Sequence, residues 1–445
     1  MKRLAVHLPA VIATFAILLL AVQPSAATEI QRVVSPGGIE AWLVEEHTVP
    51  LVAMNFAFAG GSSQDPREKL GVANMTSALL DEGAGEMDAQ AFQRRAGELA
   101  LRYDFNAGRD EFFGDIRVVE ENIDEGFELV RLALTAPRFD EDAVERIRGQ
   151  ILSSLRDDLS EPNTIAGRAW MAAIYPDHPY GRPQEGTLDS VAAISPADLA
   201  AFVKANFARD NLHIAVVGAI DAERLGPLLD RVFGDLPEKA QLTPVADVEP
   251  ADAAFETVID TDIAQTVIQF GGPGIDRDDD DFMAGYVLNH ILGGGTFTSR
   301  LYDEIREKRG LAYSVYTYLY PLEHSALYAG GVATRADRAA QSLSIIREEI
   351  ARMAKAGPTQ EELDKAKAFL KGSYALRFDT SSKIAGQVLG IQLDGLGIDY
   401  FDRRNDLIDA VTLDDVKRVA ERLFGAGAPY VTIVGSKAAM AGSGG

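Results

Sequence analysis

Apolar residues along this chain recur with two different periods, and the switches between them outline its elements. Leu51 to Phe58 (LVAMNFAF) and Gln265 to Phe270 (QTVIQF) read as strands. Asp142 to Leu155 and Asp337 to Met353 instead carry apolar positions three and four apart, the spacing of one helix face. The pattern occurs twice. Phe139 to Asp158 (FDEDAVERIRGQILSSLRDD) has the layout of Thr359 to Asp379 (TQEELDKAKAFLKGSYALRFD), an acidic start followed by a long amphipathic helix. Ser195 to Gly218 and Thr412 to Gly435 form a second matched pair. Each opens with Ser or Thr and an Asp three residues on, the chemistry of a helix N-cap, and closes on a β-branched strand ending in glycine. Gly218 and Gly435 stand 217 positions apart, the length of one domain.

Between the repeats, Pro237 to Ala254 (PEKAQLTPVADVEPADAA) loses periodicity and gains proline and acidic residues, a linker composition. We therefore expect a domain at residues 28–245 and a second at 246–445. Early paired strands, then several helices and one late strand, predict an α+β architecture for each: a mostly antiparallel sheet with helices packed on one face.

The ends and the charge narrow the setting. Lys2 and Arg3, an apolar run from Leu8 to Val22 broken only by Pro9 and Thr14, and then Ser25-Ala26-Ala27 have the order of a secretory signal peptide, residues 1–27. The run is shorter than the ~20 residues a spanning helix needs, so no stable membrane anchor is expected. The formal net charge is −24 and becomes more negative once Lys2 and Arg3 are removed, which disfavours nucleic acid as a partner. No cysteine is present, excluding disulfides, thiolate catalysis and cysteine metal sites. An exported chain without disulfides fits a bacterial periplasm.

The candidate chemistry lies in Gly293 to Val315 (GGGTFTSRLYDEIREKRGLAYSV), where Arg306 and Tyr313 flank the junction between a helix, Ser299 to Lys308, and a strand, Tyr313 to Leu319. Arginine offers five donors and a permanent charge, tyrosine a hydroxyl on a rigid ring; both suit carbonyl oxygens and a developing oxyanion. The run resembles the second half of the pitrilysin/insulinase metallopeptidases, the inverted zincins. The resemblance covers about residues 30–436 and is densest at Gly71 to Gly85, His178 to Gly186 and Gly293 to Val315. It implies two similar domains facing each other like a clam around a chamber, with Arg306 and Tyr313 helping to bind the peptide.

A zinc peptidase needs three protein ligands, an open position for water and a carboxylate to take the water's proton. The family resembled here places H-x-x-E-H on its first long helix, after a Gly-hydrophobic-Ala lead-in. This chain keeps the lead-in, Gly71-Val72-Ala73, but follows it with Asn74, Met75, Thr76, Ser77 and Ala78. Asn74, Ser77 and Ala78 thus occupy the positions of the two histidines and the glutamate, and Ser153 and Ser154 those of the family's downstream paired glutamates. Of the six histidines, His7, His47, His178, His213, His290 and His324, none has a second within a helical turn. His178 lies in a His-Pro-Tyr-Gly turn read as structural, and His47 as solvated. No metal or other cofactor is expected in this chain. Gly293-Gly294-Gly295 lacks the Gly-Lys-Ser/Thr ending of a phosphate loop and is read as a flexible turn able to contact peptide backbone. Asp278 to Asp281 read as favourable charge at a helix start.

Family members split over two polypeptides pair an H-x-x-E-H chain with an Arg/Tyr chain, and the resemblance implies the second kind here. Zinc would reside in a homologous partner subunit, and peptides would bind in extended form along a sheet edge. The alternatives are an inactive structural or peptide-binding scaffold of the same fold, and an independent zinc peptidase, which the substitutions at Asn74, Ser77 and Ala78 oppose.

Overall fold

The computed structural model describes residues 29–263, 265–425 and 427–437; the expected signal peptide lies outside them. Strands β1 (Gln31–Val34), β2 (Glu40–Glu45) and β3 (Leu51–Ala59) are followed by a two-residue pair, β4 (Gly83–Ala84) and β5 (Met87–Asp88). Then come β6 (Arg102–Ala107), β7 (Glu111–Val119) and β8 (Leu212–Gly218). All but β4 and β5 join one sheet in the order β1-β2-β8-β3-β7-β6, antiparallel except for the parallel pair β2 and β8.

The second sheet holds β9 (Glu256–Asp260), β10 (Gln265–Pro273), β11 (Ala312–Leu322), β12 (Ser325–Arg335) and β13 (Tyr430–Gly435). Its order is β11-β12-β10-β13-β9, again with one parallel pair, β13 and β9. Reversed, the first sheet reads β6-β7-β3-β8-β2, the same plan with β1 added outside. The repeat seen in the sequence is therefore a repeat of topology. Residues 237–255, between the two sheets, hold neither helix nor strand.

The expected helix starts are observed in detail. Ser195 accepts from the Asp198 amide while Asp198 accepts from the Ser195 amide, and Thr412 with Asp415 repeats that reciprocal capping. The helix begun by Thr359 stops at Gly372, shorter than its counterpart Glu141–Asp158.

One expectation needs refinement: helices do not cover a single face of each sheet. Met54, Phe56 and Phe58 of β3 point into a core formed with the helices of their own half. The alternate residues Ala53 and Ala57, with Trp42, Val44, Ala215 and Val217, pack instead against Ala385, Val388 and Leu389 of the Ser381–Leu393 helix, which follows the second sheet's central strands. Reciprocally, the Pro162–Ile174 helix crosses to the second sheet, where Trp170 and Met171 pack on Leu327, Ala329 and Tyr430. Small residues on the crossed faces permit this approach. A Cβ at Gly271 would come within 2.7 Å of the Trp170 ring. The two halves thus each lend the other one helix, and hydrogen bonds fasten the exchange: Trp170 Nε1 donates to the Tyr430 carbonyl (3.3 Å), and the Tyr175 hydroxyl to Ser325 Oγ (2.8 Å).

Candidate functional site

The segment resembling a zinc motif folds as the short helix Val72–Ser77, with Ala78 as its C-cap. The long helix on which the family carries its motif is cut short here. The Ser77 hydroxyl turns back to donate to the Asn74 carbonyl (2.8 Å), and the chain then goes into turns that lead to β4. At its head, the buried Asp65 carboxylate accepts from the amides of Gly71 (2.6 Å) and Ala73 (3.0 Å), and burial lifts its pKa to about 7 against the pull of those amides. Ser153 and Ser154 lie exposed on the Glu141–Asp158 helix. These five positions offer one amide, three hydroxyls and a methyl, no imidazole and no carboxylate, and they do not fit a hydrolytic zinc ion. Among the described residues no three His, Cys, Asp or Glu side chains converge as a metal-binding group.

Arg306 and Tyr313 do come together. The residues Arg300–Tyr302 start a helical segment that widens into a π-helical turn, Asp303–Glu307, and Arg306 sits in that turn. Its guanidinium lies 4.8 Å from the centroid of the Tyr313 ring and 4.9 Å from that of Tyr302, and it donates to the Tyr302 hydroxyl. The chain reverses through Gly310, at φ +59°, before Ala312 opens β11. Tyr313 is 82% exposed and, among the described residues, its hydroxyl makes no hydrogen bond. Phe297, 71% exposed, meets Tyr302 edge to face at 5.2 Å and completes an aromatic rim around the arginine. The guanidinium is thereby held close to two aromatic rings, with donors left to meet an incoming oxygen. No hydrogen bond or ion pair among the described residues links this pair to Asn74, Ser77 or Ala78.

The triple glycine is not a flexible turn. His290–Gly294 forms a second π-helical turn pressed on β11, and a Cβ at Gly293 would come within 2.6 Å of Thr317 Oγ1. Glycine is there for close packing, which fixes β11 relative to the helix before it. Of the four acids, Asp281 precedes the Phe282–Asn289 helix and is bound by Arg418 and Arg422, while Asp279 pairs with Arg422 at 2.7 Å. His178 is structural: Nδ1 accepts from the Tyr180 amide (3.2 Å), and Nε2 bonds the Ala246 carbonyl (2.9 Å). That set of partners fixes a neutral ring protonated on Nε2, and burial pushes its pKa down in the same direction.

Two groups escaped the sequence reading. Tyr302, four residues before Arg306, was visible only as spacing on a helix. Tyr316, Tyr318 and Tyr320 alternate along β11 and form a ladder, with neighbouring ring centroids 6.2 and 6.0 Å apart. Their period of two was a legible signal. The ladder runs to a cleft of about 740 Å³ at the meeting of the halves, where Arg109, Arg168 and Arg182 gather from separate segments, a grouping no local pattern announces.

A family model described as insulinase (peptidase family M16) matches residues 42–188, and one described as peptidase M16 inactive domain matches residues 193–370. An uncharacterized zinc protease of Mycobacterium leprae is 30% identical over 88% of this chain and 89% of its own length. A non-peptidase homologue from Helicobacter pylori is 26% identical over 84% of this chain and 86% of that one. A peptidase M16 inactive domain from Pseudomonas fluorescens has a like structure, with TM-score 0.86 at 29% identity over 92% of this chain and 98% of that one. A protease from Helicobacter pylori, at 20% identity over 92% and 100%, shares the fold with TM-score 0.83. Sequence, topology and the altered motif positions agree: the chain belongs to the insulinase-like M16 peptidase family and matches its inactive domain.

Proposed function

We propose that this chain is the non-zinc-binding subunit of a two-chain zinc metallopeptidase of the periplasm, and that it supplies Arg306 and Tyr313 to peptide hydrolysis at a homologous partner's metal site. The observation that carries the reading is the Arg306–Tyr313 pair itself, in cation–π contact at 4.8 Å on an exposed rim while every zinc-motif position is spent on non-ligands. Among the described residues the one ion pair of Arg306, with the exposed Glu307, is long at 3.9 Å and involves Nε, so the guanidinium is not tied up by a close carboxylate. In the assembly, the guanidinium and the phenol would hold the substrate's carbonyl oxygens as negative charge develops, each removed donor costing a few kcal/mol of barrier. The substrate strand would add to an open sheet edge. Among the described residues β11 pairs only with β12, so eleven residues of edge start at the pair.

The test mixes this protein with a zinc-bearing paralogue exported by the same cell. Turnover of a peptide should rise well above that of the paralogue alone, and Arg306→Ala or Tyr313→Phe should cut the gain at least tenfold without loss of co-purification. If the mixture works no faster than the paralogue, the chain is a scaffold, the reading favoured by its likeness to a relative named a non-peptidase homologue. Unchanged turnover in the variants would return both residues to packing.

A further inference from the structure

Resting on the peptide-binding reading above, we propose that the cleft formed by Arg109, Arg168, Arg182, Gln269, Tyr318 and Tyr320 is a carboxylate subsite that selects peptides bearing a negative charge some seven residues from the Arg306–Tyr313 pair. Its composition runs against that of the molecule: a chain with 67 acidic and 43 basic residues gathers three guanidiniums in one cavity, with Glu185 as the one carboxylate among the described lining residues. Only Arg168 is neutralised, by Asp158 (2.8 Å) and Glu185 (3.2 Å). Arg109 gives Nη1 to the carbonyls of Tyr180 (2.9 Å) and Arg182 (3.4 Å), and Arg182 gives Nη1 to that of Asp65 (3.4 Å). Neither has a carboxylate within 4 Å among the described residues.

Carbonyl partners orient a guanidinium but leave its charge unbalanced. Burial first, and then the neighbouring Arg67, accordingly push the pKa of Arg182 down. A ligand carboxylate beside Arg109 and Arg182 would balance the charge that their carbonyl partners leave, and guanidinium forks match carboxylates geometrically. The volume of about 740 Å³ admits a few residues of extended chain, and Trp170, Met171, Tyr318 and Tyr320 add apolar wall to it.

The tyrosine ladder supplies the path. From Tyr313 to Tyr320 is seven residues of strand, roughly 23 Å at ~3.3 Å per residue, so a peptide extended alongside would match the count. Tyr316 sits close over Gly331, where an added Cβ would come within 2.7 Å of the tyrosine hydroxyl.

A side-chain carboxylate and a C-terminal carboxylate present the same chemistry. The test therefore titrates the lone full-length chain, without partner or cleavage, with three fluorescent decapeptides read by anisotropy. One carries a single glutamate and an amidated end, one has that glutamate replaced by glutamine and a free end, and one is neutral at both places. At least one charged peptide should bind tenfold or more tighter than the neutral one, and whichever does so names the source. Arg182→Gln, with far-UV circular dichroism as a fold control, should erase the preference. Equal binding of the three peptides, no binding of any, or a preference that survives in Arg182→Gln overturns the proposal. Selective binding without stimulation of a paralogue would sink the subunit reading and leave the subsite standing; stimulation with indifferent binding would do the reverse.

Discussion

Truncating Trp170 to alanine tests whether the helix exchange makes the two halves one cooperative unit. Trp170 is 2% exposed and lies on the second sheet although it belongs to the first half. Burying a tryptophan removes on the order of 200 Å² from water, worth ~5 kcal/mol at ~25 cal/mol per Å². Partial retention by alanine's methyl and relaxation of the site lower the loss, and the hydrogen bond to the Tyr430 carbonyl adds ~1 kcal/mol. We expect Trp170→Ala to cost about 4 kcal/mol and Trp170→Phe to cost less than half of that. The chain has two tryptophans, so in either variant the fluorescence comes from Trp42, on the first sheet against the other borrowed helix. Urea unfolding followed by Trp42 emission and by far-UV circular dichroism should give one coincident transition at a lower midpoint. A Trp42 transition that stays at the wild-type midpoint while the dichroism shifts would refute the coupling, as would a loss below ~1 kcal/mol.

Three other outcomes follow from particular sites. Glu111 has its pKa raised from 4.5 to about 7, by burial first and then by Asp110, Glu323 and Asp394. Its folded state holds the proton more tightly than the unfolded chain, so its contribution declines as pH rises from about 4.5 to about 7 and stays unfavourable above; Glu111→Gln should be more stable than wild type by ~1–3 kcal/mol at pH 8, with a flatter profile in urea titrations between pH 5 and 8. Gly293→Ala should lose ~1–3 kcal/mol in thermal unfolding because its Cβ meets Thr317 at 2.6 Å, whereas Gly149→Ala, in a helix with open space around the new methyl, should gain ~0.5–1 kcal/mol. Restoring Asn74→His, Ser77→Glu and Ala78→His together should not give stoichiometric zinc by metal analysis after dialysis, since the helix ends at Ser77 and the third-ligand positions carry Ser153 and Ser154.

Much of the architecture was legible because it is written in short-range chemistry. The paired caps at Ser195 and Thr412, the alternating β3 and β10, and the repeated order of elements all act within a few residues. The Arg306–Tyr313 pair was legible for the same reason, being joined by a tight turn. What the sequence hid depends on which surfaces meet. The apolar stripe of the Pro162–Ile174 helix says that it must be buried, not under which sheet, and the hint lay in the small residues Ala53, Ala57 and Gly271 that leave room for a visitor. Nothing in the apolar pattern marks where the helix at Asn74 ends, at the point where the Ser77 hydroxyl returns to the backbone. The arginine cleft combines side chains more than seventy positions apart in sequence, Arg109 and Arg182 among them.

The lent helices also set a schedule for the growing polypeptide. β8 completes the first sheet at Gly218, but the residues that shield Trp42, Ala53 and Ala57 begin only at Ser381, some 160 positions later. Until that stretch emerges, one flank of an otherwise finished sheet stays greasy and open, a target for chaperones and for other nascent chains. Shortened products ending anywhere between these points should therefore be sticky rather than merely inactive, and the last part of the message decides whether the first part stays in solution.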